Sequence, residues 1–74
     1  MPRLPAARGD DAIRAFERAG FILHHWRGSH AILYHEDGRH LSVPGGRRDL
    51  RPGTLRKLLR QAGLGVEEFL ALLR

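Results

Sequence analysis

The chain has 74 residues, with 13 Lys and Arg against 8 Asp and Glu, a formal net charge of +5, and no cysteine. That length suffices for one compact domain, and a chain so short buries only about 60% of its unfolded surface, so chemistry is expected on an open face rather than in a walled cavity. The lack of cysteine excludes disulfides and thiolate metal sites. No stretch approaches the roughly 20 apolar residues of a membrane span, and the expected setting is soluble and cytoplasmic.

Residues 1–9 lack the apolar run of a signal peptide and are expected to form a flexible leader to a single domain over residues 10–74. From Asp10 the pattern is helical. Asp10 or Asp11 can cap, Ile13 and Phe16 share a face, and Gly20 supplies a stop, so the first helix is predicted over residues 11–19. Phe21-Ile22-Leu23-His24-His25-Trp26 and His30-Ala31-Ile32-Leu33-Tyr34-His35 read as strands joined by a glycine turn at Arg27-Gly28-Ser29. A second turn, Glu36-Asp37-Gly38, leads into a third strand, Arg39 to Pro44, with Leu41 and Val43 on one face. Alternation separates His30, Ile32 and Tyr34 from Ala31, Leu33 and His35, without saying which set faces the helices.

Pro44-Gly45-Gly46 ends the sheet and opens a basic loop to Gly53. Helix two follows, with Leu55, Leu58, Leu59 and Ala62 at i, i+3, i+4 and i+7, and Arg56, Lys57 and Arg60 on the solvent side; Gly63 ends it. A short last helix runs from Val66 to Leu73, with Glu67 and Glu68 favouring its N-terminal dipole. The order αβββα plus a short helix is an α+β domain in which a three-stranded antiparallel sheet has one face under helices and the other open. Its positive charge is localised. Arg47, Arg48, Arg51, Arg56, Lys57 and Arg60 against Asp49 carry a charge equal to the formal net of the whole chain, which points to a polyanionic partner.

Most catalytic constellations fail on spacing. His24 and His25 are adjacent on a strand and are expected to face opposite sides, so they cannot share an ion; His35 and His40 could meet across strands but lack a third ligand. No metal site and no cofactor is therefore expected. Residues 46–54 lack the glycine-lysine-hydroxyl order of a phosphate loop. Ser29 and His30 are neighbours in a turn with no orienting acid, unlike a hydrolase pair. What remains is His30 at a turn-to-strand junction with arginines downstream. RNA cleavage suits that inventory, because the 2′-hydroxyl is an internal nucleophile and the protein need only move protons and stabilise phosphate charge. A glycine at position 28 lets the backbone turn tightly and lets a sugar-phosphate approach. The turn residues Arg27, Gly28 and Ser29, and the cations Arg47, Arg48, Arg56, Lys57 and Arg60, are the expected RNA contacts.

The residues Ala19-Gly20-Phe21, Gly28-Ser29-His30, Asp37-Gly38-Arg39, Val43-Pro44, Gly53-Thr54-Leu55-Arg56, Gln61-Ala62-Gly63 and Glu67-Glu68-Phe69, in this order and spacing, resemble the HicA family of toxin messenger-RNA interferases over nearly the whole of residues 11–73. The resemblance implies a fold like double-stranded-RNA-binding domains, metal-independent messenger-RNA cleavage, and a HicB-type antitoxin that covers the active site. His30 stands where the family has its catalytic histidine. The family often places another histidine two positions after Val-Pro, where this chain has Gly46, and His25 is a possible substitute. The alternative is a non-catalytic module that binds structured RNA by shape.

Overall fold

The computed structural model describes residues 3–74, so Met1 and Pro2 of the expected leader lie outside the described residues. Helix α1, Gly9–Arg18, forms because Ala12, Ile13, Ala15 and Phe16 make one buried stripe. It begins two residues before the predicted start, and neither Asp10 nor Asp11 caps it. Backbone carbonyls from the basic loop take that role. Gly9 N donates to Arg48 O at 3.2 Å and Asp10 N to Gly46 O at 3.0 Å, which satisfies amides a capping side chain would otherwise serve. The Asp10 carboxylate is thereby free to accept from Gly46 N at 2.7 Å. At the other end Gly20, at φ +102°, makes the predicted stop. Gly20 N bonds Glu17 O and Phe21 N bonds Phe16 O, a Schellman arrangement closed by edge-on contact of the Phe16 and Phe21 rings at 6.2 Å.

Strands β1 (Ile22–Arg27), β2 (His30–Tyr34) and β3 (His40–Pro44) form an antiparallel sheet in the order β1-β2-β3. Gly28 at φ +59° is the only left-handed residue of the first turn, matching a two-residue hairpin of the II′ kind, which twists as the strands do. Helices α2 (Pro52–Ala62) and α3 (Val66–Leu73) follow, and α2 ends at Gly63, with Leu64 N bonding Leu59 O. Ala31, Leu33, Leu41 and Val43 meet Phe16, Phe69 and the leucines of α2 in the core. The face bearing His30, Ile32 and Tyr34 is therefore the open one. The element order, the three antiparallel strands and the helix-covered face are those of the predicted α+β layout, consistent with a double-stranded-RNA-binding-domain-like fold.

Two further features depart from the sequence expectation. Part of the segment read as a leader belongs to the core seam: Ala7 is buried, Leu4 packs against the core, and Leu50 N bonds Ala7 O at 2.8 Å beside an Arg8–Asp49 bridge. The stretch Leu4-Pro5-Ala6-Ala7-Arg8 carries no helical or strand period, so the burial of Ala7 depends on a loop partner that the sequence does not reveal. The second feature is a β-bulge in β1. Leu23 pairs with Leu33 and His25 with Ile32, leaving His24 as the extra residue. The bulge turns His24 and His25 to the same side, their Nδ1 atoms 2.8 Å apart, so the expected opposite facing does not hold.

The Asp37-Gly38-Arg39 turn is a brace. Arg39 Nε donates to both Asp37 carboxylate oxygens, at 3.1 and 2.9 Å, its Nη1 donates to Ala62 O at the end of α2, and its guanidinium lies 5.3 Å from the Phe21 ring centre. Hydrogen bonds from Arg39 hold the Asp37 carboxyl down from 3.8 to about 2. A depressed carboxyl pKa adds stability above the unfolded value and loses it as pH falls through the folded one. The carboxyl carbon of Asp37, followed by NMR, should titrate near pH 2, and Arg39→Gln should return the midpoint toward 3.8. An unmoved midpoint in that variant would assign the shift to another cause.

Gly9 is held by contact rather than by backbone angle, since a Cβ there would land on the carbonyl oxygen of Pro44. Gly9→Ala should destabilise by about 1 to 3 kcal/mol, the usual cost of overpacking. Gly53→Ala, in α2 with open space around it, should be neutral or stabilise by up to about 1 kcal/mol. Urea denaturation of the two variants tests this; equal midpoints would show that the α1 and β3 ends separate freely.

Candidate active groove

His30 is the first residue of β2, and its place is fixed from both sides. It pairs with Arg27 across the hairpin and with Pro44 of β3. Beyond Pro44, Gly45 N donates to Ser29 O at 2.9 Å, extending the ladder past the strand end. Trp26 covers this junction; a Cβ on Gly45 would meet its ring at 2.8 Å. The imidazole is thus mounted on a closed ladder while the side chain itself stays exposed. Among the described residues, no side-chain hydrogen bond engages its ring nitrogens, leaving both available to a substrate.

The groove in front of it has a volume of about 380 Å³. The sheet contributes His30, His40, Ser42 and Pro44, and α2 contributes Thr54, Lys57, Leu58 and Gln61. These positions follow from register and from the helix period. His40, Ser42 and Pro44 alternate on one face of β3, and Pro44 sits opposite His30. Thr54, Lys57 and Gln61 lie at i, i+3 and i+7 on the side of α2 turned to the sheet. The lining supplies two imidazoles, one ammonium, two hydroxyls and an amide, with no carboxylate. An anion is favoured there, and a proton can be taken or given beside it.

The RNA contacts expected from sequence separate into groups. Arg27, Gly28 and Ser29 lie at the hairpin end next to His30. Arg48 lines a neighbouring hollow that shares Pro44 and Thr54 with the groove, and Arg47 is exposed in the same loop. Lys57 enters the groove, but Arg56 and Arg60 do not. They line a separate groove of about 650 Å³ with Arg3, Leu4, Leu59 and Leu64, on the far side of α2. The expected single basic face is therefore divided, because consecutive helical residues point about 100° apart.

His40, Ser42, Thr54 and Gln61 were not among the sequence candidates. Their signal is the strand alternation and the i, i+3, i+7 spacing, readable once the open face is known. His35 and His40 do not approach a common point: His35 lies on the helix side, its ring 5.1 Å from Phe21 and Nδ1 3.2 Å from Asp37, while His40 lies beside Tyr34 on the open face. His25, the possible substitute for a histidine at Gly46, does not line the groove; His40 does. Among the described residues no group of three or more His, Asp or Glu is placed to hold a metal ion.

Fold and groove together define a class: a small α+β domain whose layout is consistent with the double-stranded-RNA-binding-domain-like fold, with a histidine-bearing groove where the open sheet face meets its second helix. Residues 9–64, well over half of the chain, match the family described as the HicA toxin of bacterial toxin-antitoxin systems, and the protein belongs to that family. No curated protein matches the chain. Membership makes it the toxin of a toxin–antitoxin pair and implies an antitoxin as partner. Among the described residues no helix is long and apolar enough to cross a membrane.

Proposed function

We propose that the protein is a cytoplasmic endoribonuclease that cleaves messenger RNA without a metal or small-molecule cofactor, with His30 as its catalytic residue and a HicB-type antitoxin silencing it by covering the groove. The observation that carries this reading is the placement of an exposed imidazole and a lysine ammonium in one groove free of carboxylates. In the reaction the 2′-hydroxyl loses its proton as that oxygen attacks the adjacent phosphorus and the departing 5′-oxygen gains one; His30 carries out one of these two transfers and water the other. Lys57 and the hydroxyls of Ser42 and Thr54 stand where they can stabilise the added phosphorane charge, with Arg27 and Arg48 flanking it. The P–O5′ bond breaks, and a 2′,3′-cyclic phosphate or its hydrolysed form remains. Incubating metal-free protein with single-stranded RNA tests this. Cyclic phosphate ends that persist under a chelator are expected; cleavage that ceases under the chelator, or 5′-phosphate products, would overturn it. Binding without any cleavage would assign the domain to RNA recognition alone.

The division of the basic face makes a second expectation specific. Each phosphate contact on a single strand contributes about 0.7 to the slope of log affinity against log salt. Lys57→Gln should flatten the slope by about that amount, whereas Arg56→Gln, on the other side of α2, should leave it unchanged. Equal flattening by the two variants, in a filter-binding titration, would mean that the strand crosses both sides of α2.

A further inference from the structure

Rings from all three strands lie on the open face of the sheet. Tyr34 of β2 stands between His24 of β1, with ring centroids 5.0 Å apart at 78°, and His40 of β3, 6.1 Å apart at 35°. The bulge adds His25 to the same side, against its neighbour His24. Regular alternation would have sent one of these two rings toward the helices. Tyr34 is 42% exposed and its cross-strand partner Ile22 is 68% exposed. A contiguous patch of large side chains left in water marks a binding surface.

Charge and continuity identify what binds. None of the three strands contains an Asp or Glu, and Arg27 and Lys57 stand at the His30 end of the same face. His40 belongs both to the groove and to the row of rings, so one ligand can occupy both. Tyr34 lies four residues along β2 from His30, a rise of about 13 Å, within reach of nucleotides flanking a phosphate held at the groove. Bases stack on aromatic rings whatever their identity, and a duplex hides the base faces that stacking needs.

We propose that the open sheet face is a base-stacking platform for single-stranded RNA, with Tyr34 at its centre and His24 and His40 as flanking rings. The platform rests on the reading of the His30 groove as a site for RNA cleavage, and it determines which form of RNA that groove receives. A strand laid over the rings delivers its backbone to His30 at one end of the sheet, so stacking sets the register of the scissile phosphate.

The test is the affinity of a short fluorescent oligonucleotide bearing 2′-O-methyl at every position, which the protein cannot cut because no 2′-hydroxyl is free. Tyr34→Val should weaken binding about tenfold, by loss of one stacked base, while keeping a good strand-forming residue; Tyr34→Phe should bind as the parent does. A 2-aminopurine placed in the strand should be quenched by the parent protein and not by Tyr34→Val. A duplex of the same length should bind more weakly and ignore Tyr34. Equal affinity and equal quenching in the parent and Tyr34→Val would overturn the platform. Loss of self-association in that variant, with RNA affinity intact, would instead assign the face to a protein contact. Scission of unmodified RNA is scored alongside. Cleavage with Tyr34-independent binding sinks the platform alone, and Tyr34-dependent binding without cleavage sinks the nuclease reading alone.

Discussion

His30→Ala should lose about 10² to 10⁴ in cleavage rate, the usual cost of removing a general acid or base, while folding and binding RNA as before. The side chain is exposed and outside the core cluster, so truncation opens no cavity. The hairpin geometry that mounts it is set by Gly28 and by the Gly45–Ser29 backbone bond, neither of which depends on the imidazole. Affinity for an uncleavable strand should change little, since Lys57, Ser42 and Thr54 still line the groove. Rate and affinity must therefore separate. Single-turnover cleavage measured beside binding checks this, and near-parental cleavage by a folded His30→Ala protein would remove His30 from the chemistry.

Phe69→Ala should cost about 3 to 5 kcal/mol, the range for deleting a buried aromatic ring. Phe69 has no exposed surface and packs 5.4 Å from the Phe16 ring, joining α3 to α1 across the core. A domain of this size has only about 3 to 5 kcal/mol from a single core, so the variant should be largely unfolded at room temperature. Residue 69 lies beyond the segment that matches the toxin family, yet α3 is tied in twice, since Arg18 also donates to Leu72 O at 2.6 Å and Arg74 O at 3.1 Å. Leu70→Ala, on the exposed side of the same helix, should stay within about 0.5 kcal/mol. Thermal melts by circular dichroism compare the two. A cooperative melt of Phe69→Ala near the parental midpoint would make α3 an accessory rather than a wall of the core.

Local chemistry in the sequence was enough to place every helix and strand. Gly20 and Gly63 stop helices because each adopts a left-handed angle that completes a Schellman turn, and the leucines of α2 are buried at the predicted spacing. What local pattern could not supply was partnership between distant segments. Asp10 reads as a cap, and it becomes a ligand for the Gly46 amide only because the loop arrives there. His24 and His25 read as opposed, and the bulge that aligns them has no glycine to announce it. Arg56, Lys57 and Arg60 read as one solvent face, but solvent wraps most of a helix, and only the position of the sheet edge divides Lys57 from the two arginines. His30 was legible as a candidate, whereas its companions His40, Ser42 and Thr54 needed the register.

The seam between the start of α1 and the basic loop bears on the order in which the molecule is assembled. The Asp10–Gly46 bond joins residues 36 apart, whereas the two hairpins close over turns of a few residues. Closing the longer loop costs more entropy and is repaid only once its partners are in place. On that ground the strands and their turns are expected to pair before the arginine loop takes its shape against Gly9 and Pro44. Opening of that seam would expose Ala7 and Leu50 and release Arg47 and Arg48 while Arg56, Lys57 and Arg60 stayed mounted on α2, so half of the positive surface depends on the seating of α1 and half does not.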